Sequence, residues 1–146
     1  MSLKLRMAGA ALALGALLAP SGAKAAPNLD ELTKYLAFIE SFQHFFEFCQ
    51  AETKLPDSQV SYARAHIGER RALIFAGLNE DQRGKLVAAM PDRKTQMIKG
   101  VLETVGKDQP GVPLKHLCLA GFFEGIMDSE QKSSAKEEAA IRKLKE

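Results

Sequence analysis

Three polar side chains in the aromatic stretch FIESFQHFFEFC, residues 38–49, have the spacing of a metal site. Glu40 and His44 are four positions apart, and His44 and Glu47 are three apart, so on a helix all three lie on one face. Carboxylate oxygens and imidazole nitrogens are ordinary ligands of divalent transition metals. The trio is therefore a candidate metal site. Its alternative interpretation is the solvated back of a packed helix, because the sequence names no fourth ligand or supporting shell.

The apolar side chains of the same stretch occupy the opposite face of that helix. At about 100° per residue, one broad arc collects Leu32, Tyr35, Phe38, Ile39, Phe42, Phe45, Phe46 and Cys49. This pattern predicts a first helix over about 29–53, with Asn28 as a candidate N-cap and with its aromatic side in the core.

Cys49 and Cys118 are the two cysteines of the chain, and both lie in apolar helical stretches. In an oxidising compartment an even pair of this kind predicts a disulfide bond. Gly121 and Gly125 lie beside Cys118, and small residues there let a second helix come as close as a disulfide requires. We therefore predict a bridge between the first and fifth helices. The alternatives are two buried free thiols or an intermolecular bond.

Hydrophobic periodicity is helical along the whole chain, and no alternating run of β-branched residues indicates a strand. The later helices are predicted at about 58–77, 80–90, 93–106 and 114–128, with Asn79 as the N-cap of the third and Pro91 separating the third from the fourth. The fold class is therefore all-α, a single small bundle of about five helices. We place the helical domain at 26–129 and a charged tail, helical or partly disordered, at 130–146.

The first 25 residues have the three regions of a signal peptide. Lys4 and Arg6 precede the apolar run of residues 7–18, and small residues at Ala23 and Ala25 suit cleavage after Ala25. The run is shorter than the roughly 20 residues that span a bilayer, and no second long apolar stretch follows. We expect an exported protein, periplasmic or secreted, without an integral membrane segment once the signal is removed.

The charge of the chain changes when the signal peptide is removed. The full sequence has 20 Lys+Arg and 18 Asp+Glu, and removing Lys4, Arg6 and Lys24 leaves 17 basic against 18 acidic residues, a net charge of −1. Binding to a phosphate backbone requires a surplus of basic side chains. We therefore expect no nucleic-acid partner.

The tail at 130–146 contains a narrow apolar strip with basic flanks. Ile141 and Leu144 are three positions apart, and Arg142 and Lys143 lie between them. One interpretation is a solvated or frayed end of the chain. The other is a binding surface formed by these four residues, which orders when it docks on a partner.

No motif for catalysis or for phosphate binding is present in the sequence. Residues 78–83, LNEDQR, are similar to the Leu-Thr-x-x-Gln motif of periplasmic helical chaperones, although Asn79 replaces the threonine and the motif occurs once. Six residues do not assign a family. We expect no enzyme and no cofactor, but a protein that binds another protein as a chaperone, an adaptor, or an inhibitor or immunity protein. The alternative is a small-ligand or metal carrier that uses surface glutamates and histidines: His44, His66 and His116.

Overall fold

The computed structural model describes residues 25–146, which form five α-helices and no strand. These are α1 (Leu29–Glu52), α2 (Asp57–Phe75), α3 (Glu80–Asp108), α4 (Leu114–Leu119) and α5 (Phe122–Lys143). The all-α class and the number of helices predicted from the sequence are confirmed. The predicted signal peptide at 1–25 lies outside the described residues apart from Ala25.

The first helix is the centre of the bundle, because α1 packs against each of the other four helices. Its predicted aromatic face is the core: Leu32, Ile39, Phe42, Phe45, Phe46 and Cys49 are each 4 % exposed or less. Burial of one such side chain stabilises the fold by about 1.5–3 kcal/mol. The aromatic face of α1 therefore supplies the largest single share of the apolar packing that holds the helices together.

Two helices begin at the asparagine caps that the sequence predicted. The Asn28 side chain accepts a hydrogen bond from the Glu31 N–H at 3.1 Å. At the start of α3, Asn79 and Gln82 form a reciprocal capping box, with both hydrogen bonds at 2.9 Å. Each cap satisfies N–H groups that the first turn of a helix otherwise leaves without a partner.

The prediction that Pro91 separates two helices is wrong, because α3 continues through it without interruption. A proline inside a helix removes the hydrogen bond to the carbonyl four residues earlier, which here belongs to Val87. Val87 is 53 % exposed, so that carbonyl lies on a part of the helix that water reaches. The helix is also held on both sides of Pro91, since Met90 and Ile98 both pack against the core.

The predicted helix over 114–128 is divided in the structure into α4 and α5. Gly121 separates them with φ of 87°, a left-handed conformation that glycine adopts at little cost. The break turns the chain after α4, so that α5 can return along α1. There Phe123 packs against Phe42 and Phe46, at ring-centroid distances of 5.4 and 5.6 Å.

Cys49 and Cys118 form a disulfide bond, with their Cα atoms 5.3 Å apart. The predicted pairing is confirmed, but Cys118 lies on the fourth helix rather than the fifth, because of the break at Gly121. The predicted role of Gly125 beside Cys118, which was to let a second helix come close, is not confirmed. A Cβ added to Gly125 would meet no atom within 4 Å, so Gly125 does not serve a close approach of helices within this chain.

Residues 130–143 are helical and continue α5 without a boundary at residue 129. Ile141 is 0 % exposed and belongs to the core. The end of the chain is also tied to its beginning, since the Asn28 N–H donates to the Leu144 carbonyl at 3.0 Å. Within residues 25–146, no helix combines the length and the apolar character needed to cross a membrane.

The burial of Ile141 predicts that the C-terminal segment contributes to stability. We expect Ile141→Ala to lower the free energy of unfolding by about 2–4 kcal/mol, since it removes core volume. The matched control is Leu119→Ala, because Leu119 is 71 % exposed, and its effect should stay within about 0.5 kcal/mol. Urea unfolding of both variants measures the difference. Equal effects would contradict the placement of Ile141 in the core.

The disulfide predicts a second stability difference. The bridge closes a loop with a sequence separation of 69. We expect the Cys49→Ala, Cys118→Ala double variant to lose about 4 kcal/mol of unfolding free energy, from loop closure in the unfolded chain. Urea unfolding of the double variant and of the oxidised protein measures this loss. A loss below about 1 kcal/mol would show that the bridge does not constrain the unfolded chain as loop closure requires.

Candidate functional site

The structure does not bring the side chains of Glu40, His44 and Glu47 together as metal ligands. The Oε1 atom of Glu40 accepts a hydrogen bond from Arg71 Nε at 2.6 Å, which links α1 to α2. The Oε1 atom of Glu47 accepts from Gln43 Nε2 at 2.5 Å. Across residues 25–146, no three His, Cys, Asp or Glu side chains are grouped as a metal site requires.

The three histidines lie on three different helices. His44 on α1 and His116 on α4 are exposed, whereas His66 on α2 is buried. His44 makes an edge-to-face contact with the neighbouring Phe45 ring, at a centroid distance of 5.4 Å. The histidines of the predicted carrier therefore do not form one site.

The four residues of the predicted C-terminal binding surface have different environments. Ile141 is in the core, and Leu144 is half-buried and packs against it. Arg142 donates to Glu138 Oε1 at 2.7 Å, and Lys143 is exposed. The strip at Ile141 and Leu144 is thus turned towards the bundle, which leaves no apolar docking face at these four residues in this conformation.

A buried polar cluster, which sequence reasoning did not find, lies where α2 meets α5. His66 Nε2 and Glu130 Oε2 are 3.0 Å apart, and both side chains are almost fully buried. One turn further along, Arg70 Nη2 donates to Ser134 Oγ at 2.8 Å and to the Ser134 carbonyl at 3.2 Å. The Tyr62 ring stacks on His66, with a centroid distance of 5.4 Å.

The sequence contained a signal for this cluster. Arg70 is three positions after the apolar Ile67 and four before Ile74, so it lies in phase with the buried face of α2. Glu130 follows Met127 by three positions on the buried face of α5 in the same way. A charged residue in phase with an apolar stripe indicates a buried polar contact, and ending the fifth helix at residue 128 concealed it.

One atom of the cluster has no partner. Arg70 Nε is the buried side-chain nitrogen or oxygen without a hydrogen bond among the described residues. A buried polar atom without a partner costs about 1–3 kcal/mol. The cluster is therefore held in place by its contacts with Ser134 and by the surrounding packing, and not by complete hydrogen bonding of the guanidinium.

The Tyr62 phenol reports on the charge of this cluster. Burial raises the pKa of Tyr62 above its ordinary value of 10.0, the negative charge of Glu130 raises this pKa further, and the Arg70 guanidinium opposes the rise. The folded state thus holds the phenolic proton more tightly than the unfolded chain does. This contribution to stability is present below pH 10.0 and is lost as the pH rises through the folded-state pKa.

An apolar groove lies between α3 and α5. The two helices both pack on α1 but hardly touch each other, so α1 forms the floor of the groove. Three adjoining cavities make it up, with volumes of about 450, 520 and 190 Å³. They share lining residues: Val105 joins the first two, Phe38, Ser41 and Val101 join the second and third, and Ile126 and Ser129 join the first and third.

The walls of the groove are built mostly from apolar and small side chains, and its first cavity is also lined by Gln109 and, at the end of α4, by Leu117 and Ala120. The α1 floor is formed by Phe38, Ser41, Phe42 and Phe45. The α3 wall is formed by Met97, Gly100, Val101, Thr104, Val105 and Asp108. The α5 wall is formed by Phe122, Gly125, Ile126, Ser129 and Glu130, with Gly121 at its start. The charged residues of this lining, Asp108 and Glu130, are both acids.

The glycines of the groove are not required by the packing of the chain itself. A Cβ added to Gly100 or Gly125 would meet no atom within 4 Å. Glycine inside a helix costs about 1 kcal/mol relative to alanine. Each wall therefore carries a residue that weakens its own helix and leaves open space on the groove side.

Comparisons of the chain with models of protein families, with curated proteins and with solved structures found no match.

The raised pKa of Tyr62 is measurable by titration of phenolate absorbance. Tyr35→Phe makes Tyr62 the single tyrosine, since the chain contains two. We expect the folded protein to titrate above 10.0, and above the same chain in urea. Adding Glu130→Gln should lower the folded midpoint, because it removes a negative charge that favours the protonated phenol. A folded midpoint at or below that of the unfolded chain would contradict this environment.

Proposed function

We propose that this protein is an exported helical protein that binds an apolar helical segment of another protein in the groove between α3 and α5, and that it acts by binding and not by catalysis. The observation that carries the proposal is the groove itself. An apolar groove between helices is a common seat for a partner's amphipathic helix, and the residues that line this groove are mostly apolar or small.

The length of the groove corresponds to a short helix. Its α3 wall runs from Met97 to Asp108, which at 1.5 Å per residue is about 16 Å, or three turns of helix. Gly100 and Thr104 on α3, and Gly125 and Ser129 on α5, are small residues one turn apart that leave room for another backbone to approach. These four positions support a helix as the occupant.

The charged residues that line the groove indicate which class of partner it can bind. Among the described residues, its lining holds two acids and no lysine, arginine or histidine. A fatty acid or another anionic amphiphile would bring its negative charge next to these carboxylates without a cation to pair with it. An apolar segment with basic residues is electrostatically complementary to the groove instead.

Export of the protein is supported by two features. The first is the signal-like pattern at the N-terminus. The second is the Cys49–Cys118 disulfide, since such bonds persist in oxidising compartments such as the periplasm. The net charge of −1 after removal of the signal supports a partner that is not nucleic acid. A chaperone, an adaptor, an inhibitor or an immunity protein could each bind a helix of its partner, and the groove supports whichever of these roles depends on such binding.

Substitutions that place a larger side chain in the groove test the proposal. Gly125→Leu places a side chain in the open space of the α5 wall, and Gly100→Leu does so on the α3 wall. Gly84→Leu is the matched control, because Gly84 also lies inside α3 with no atom within 4 Å of an added Cβ, but outside the groove. All three changes replace a helix glycine and should raise helix stability by a similar amount, about 0.5–1 kcal/mol.

The probe is a fluorescein-labelled amphipathic peptide of about four helical turns with leucines on one face and uncharged polar residues on the other. We expect the unmodified protein and Gly84→Leu to bind it alike in fluorescence anisotropy. Gly125→Leu and Gly100→Leu should weaken binding at least about tenfold, by occluding the seat of the helix. A scrambled peptide without the apolar face should not bind. Equal binding by all variants would refute the proposal, as would failure of the unmodified protein to bind either this peptide or a version with one central lysine on its leucine face.

A further inference from the structure

The inner end of the groove contains a buried carboxylate, Glu130, of which one oxygen contacts His66 and the other has no hydrogen bond within the described chain. Glu130 is 3 % exposed and lines the 190 Å³ cavity together with Phe38, Phe42 and Phe45. A carboxylate removed from water is costly unless a cation or several hydrogen bonds compensate it. The other residues that line this cavity are apolar apart from Ser41 and Ser129, and within the described chain neither hydroxyl donates to the Glu130 carboxylate.

The other side of Glu130 compensates its charge only in part. The contact with His66 uses one carboxylate oxygen, Oε2, and His66 carries a positive charge only when its ring is protonated. Arg70 supplies the guanidinium of the cluster, but its Nη2 atom donates to Ser134, one turn beyond Glu130 on α5. Glu130 therefore keeps capacity for a cation or a further hydrogen-bond donor.

The cavity in front of Glu130 has room for a side chain from outside. A volume of about 190 Å³ is far more than the roughly 15 Å³ that one water needs. Lysine and arginine place an apolar stem along apolar walls and a charged group at the end. Phenylalanine side chains line the cavity, and the face of an aromatic ring is a favourable neighbour for a cation.

Building on the proposed function, we infer that Glu130 is a specificity-determining residue. It selects partner segments that carry one lysine or arginine on their apolar face, by receiving that side chain at the inner end of the groove. The partner's basic group then donates to the Glu130 carboxylate from the groove side, while His66 holds the same carboxylate from α2. The ligand class is thus an apolar helix with a basic residue at its centre.

Two peptides test this inference. Both have the leucine face of the probe peptide, and they differ at one central position of that face, which is lysine in one and norleucine in the other. A charge-assisted hydrogen bond to a buried carboxylate should make the lysine peptide bind the unmodified protein at least about tenfold more tightly. Fluorescence anisotropy measures both affinities, and this comparison requires no variant.

Two variants assign the preference to Glu130. Glu130→Gln keeps the shape and an oxygen for His66 but removes the charge, so it should bring the two peptides to equal affinity. Asp128→Asn is the control, because it removes one negative charge from the exposed side of α5 and should leave the preference intact. Circular dichroism confirms that both variants are folded.

The outcomes separate this inference from the proposed function. If both peptides bind the unmodified protein tightly and equally, the groove is a helix-binding site but the role of Glu130 is refuted. If Glu130→Gln keeps the preference for lysine, another acid is responsible and the inference is also refuted. If neither peptide binds, the proposed function fails, and the inference fails with it.

Discussion

The packing of every other helix on the aromatic face of α1 is the constraint on which the rest of this structure depends. α2, α3, α4 and α5 all contact α1, and phenylalanines on both α1 and α5 fill the space between those two helices. Since α3 and α5 both attach to this central helix and hardly to each other, a gap remains between them. The groove is therefore a consequence of the same packing that stabilises the fold.

Where α5 meets α2, it is positioned by polar contacts as well as by apolar packing. His66 and Arg70 on α2 meet Glu130 and Ser134 on α5 in register, one turn apart. A buried ionic contact adds little net stability, because desolvation offsets most of the attraction. It does penalise every other register, since a shift of α5 would leave buried charged groups without partners. The cluster thus fixes which residues of α5 face the groove.

Much of the fold could be predicted from the sequence, because its signals are local. The stripe of phenylalanines marks the core face of α1, Asn28 and Asn79 mark helix starts, and the cysteine pair marks the bridge. The helix through Pro91 and the groove depend on how helices pack against each other, which no local pattern contains. The buried contact of Glu130 was missed for a different reason, because the fifth helix was ended at residue 128 although Glu130 lies in phase with its apolar face. Sequence spacing drew attention to the solvated side of α1, whereas the structure places the buried charges between α2 and α5.

The location of a bound helix is the most direct test of this account, and the methionines of the described chain are suitable probes. Met97 lines the groove, whereas Met90 on the same helix packs against the core outside it and Met127 is buried. Methyl-labelled methionine can be followed by NMR while the lysine-containing peptide is added. The account predicts a large shift of the Met97 signal and little change at Met90. A shift at Met90 with Met97 unchanged would contradict it.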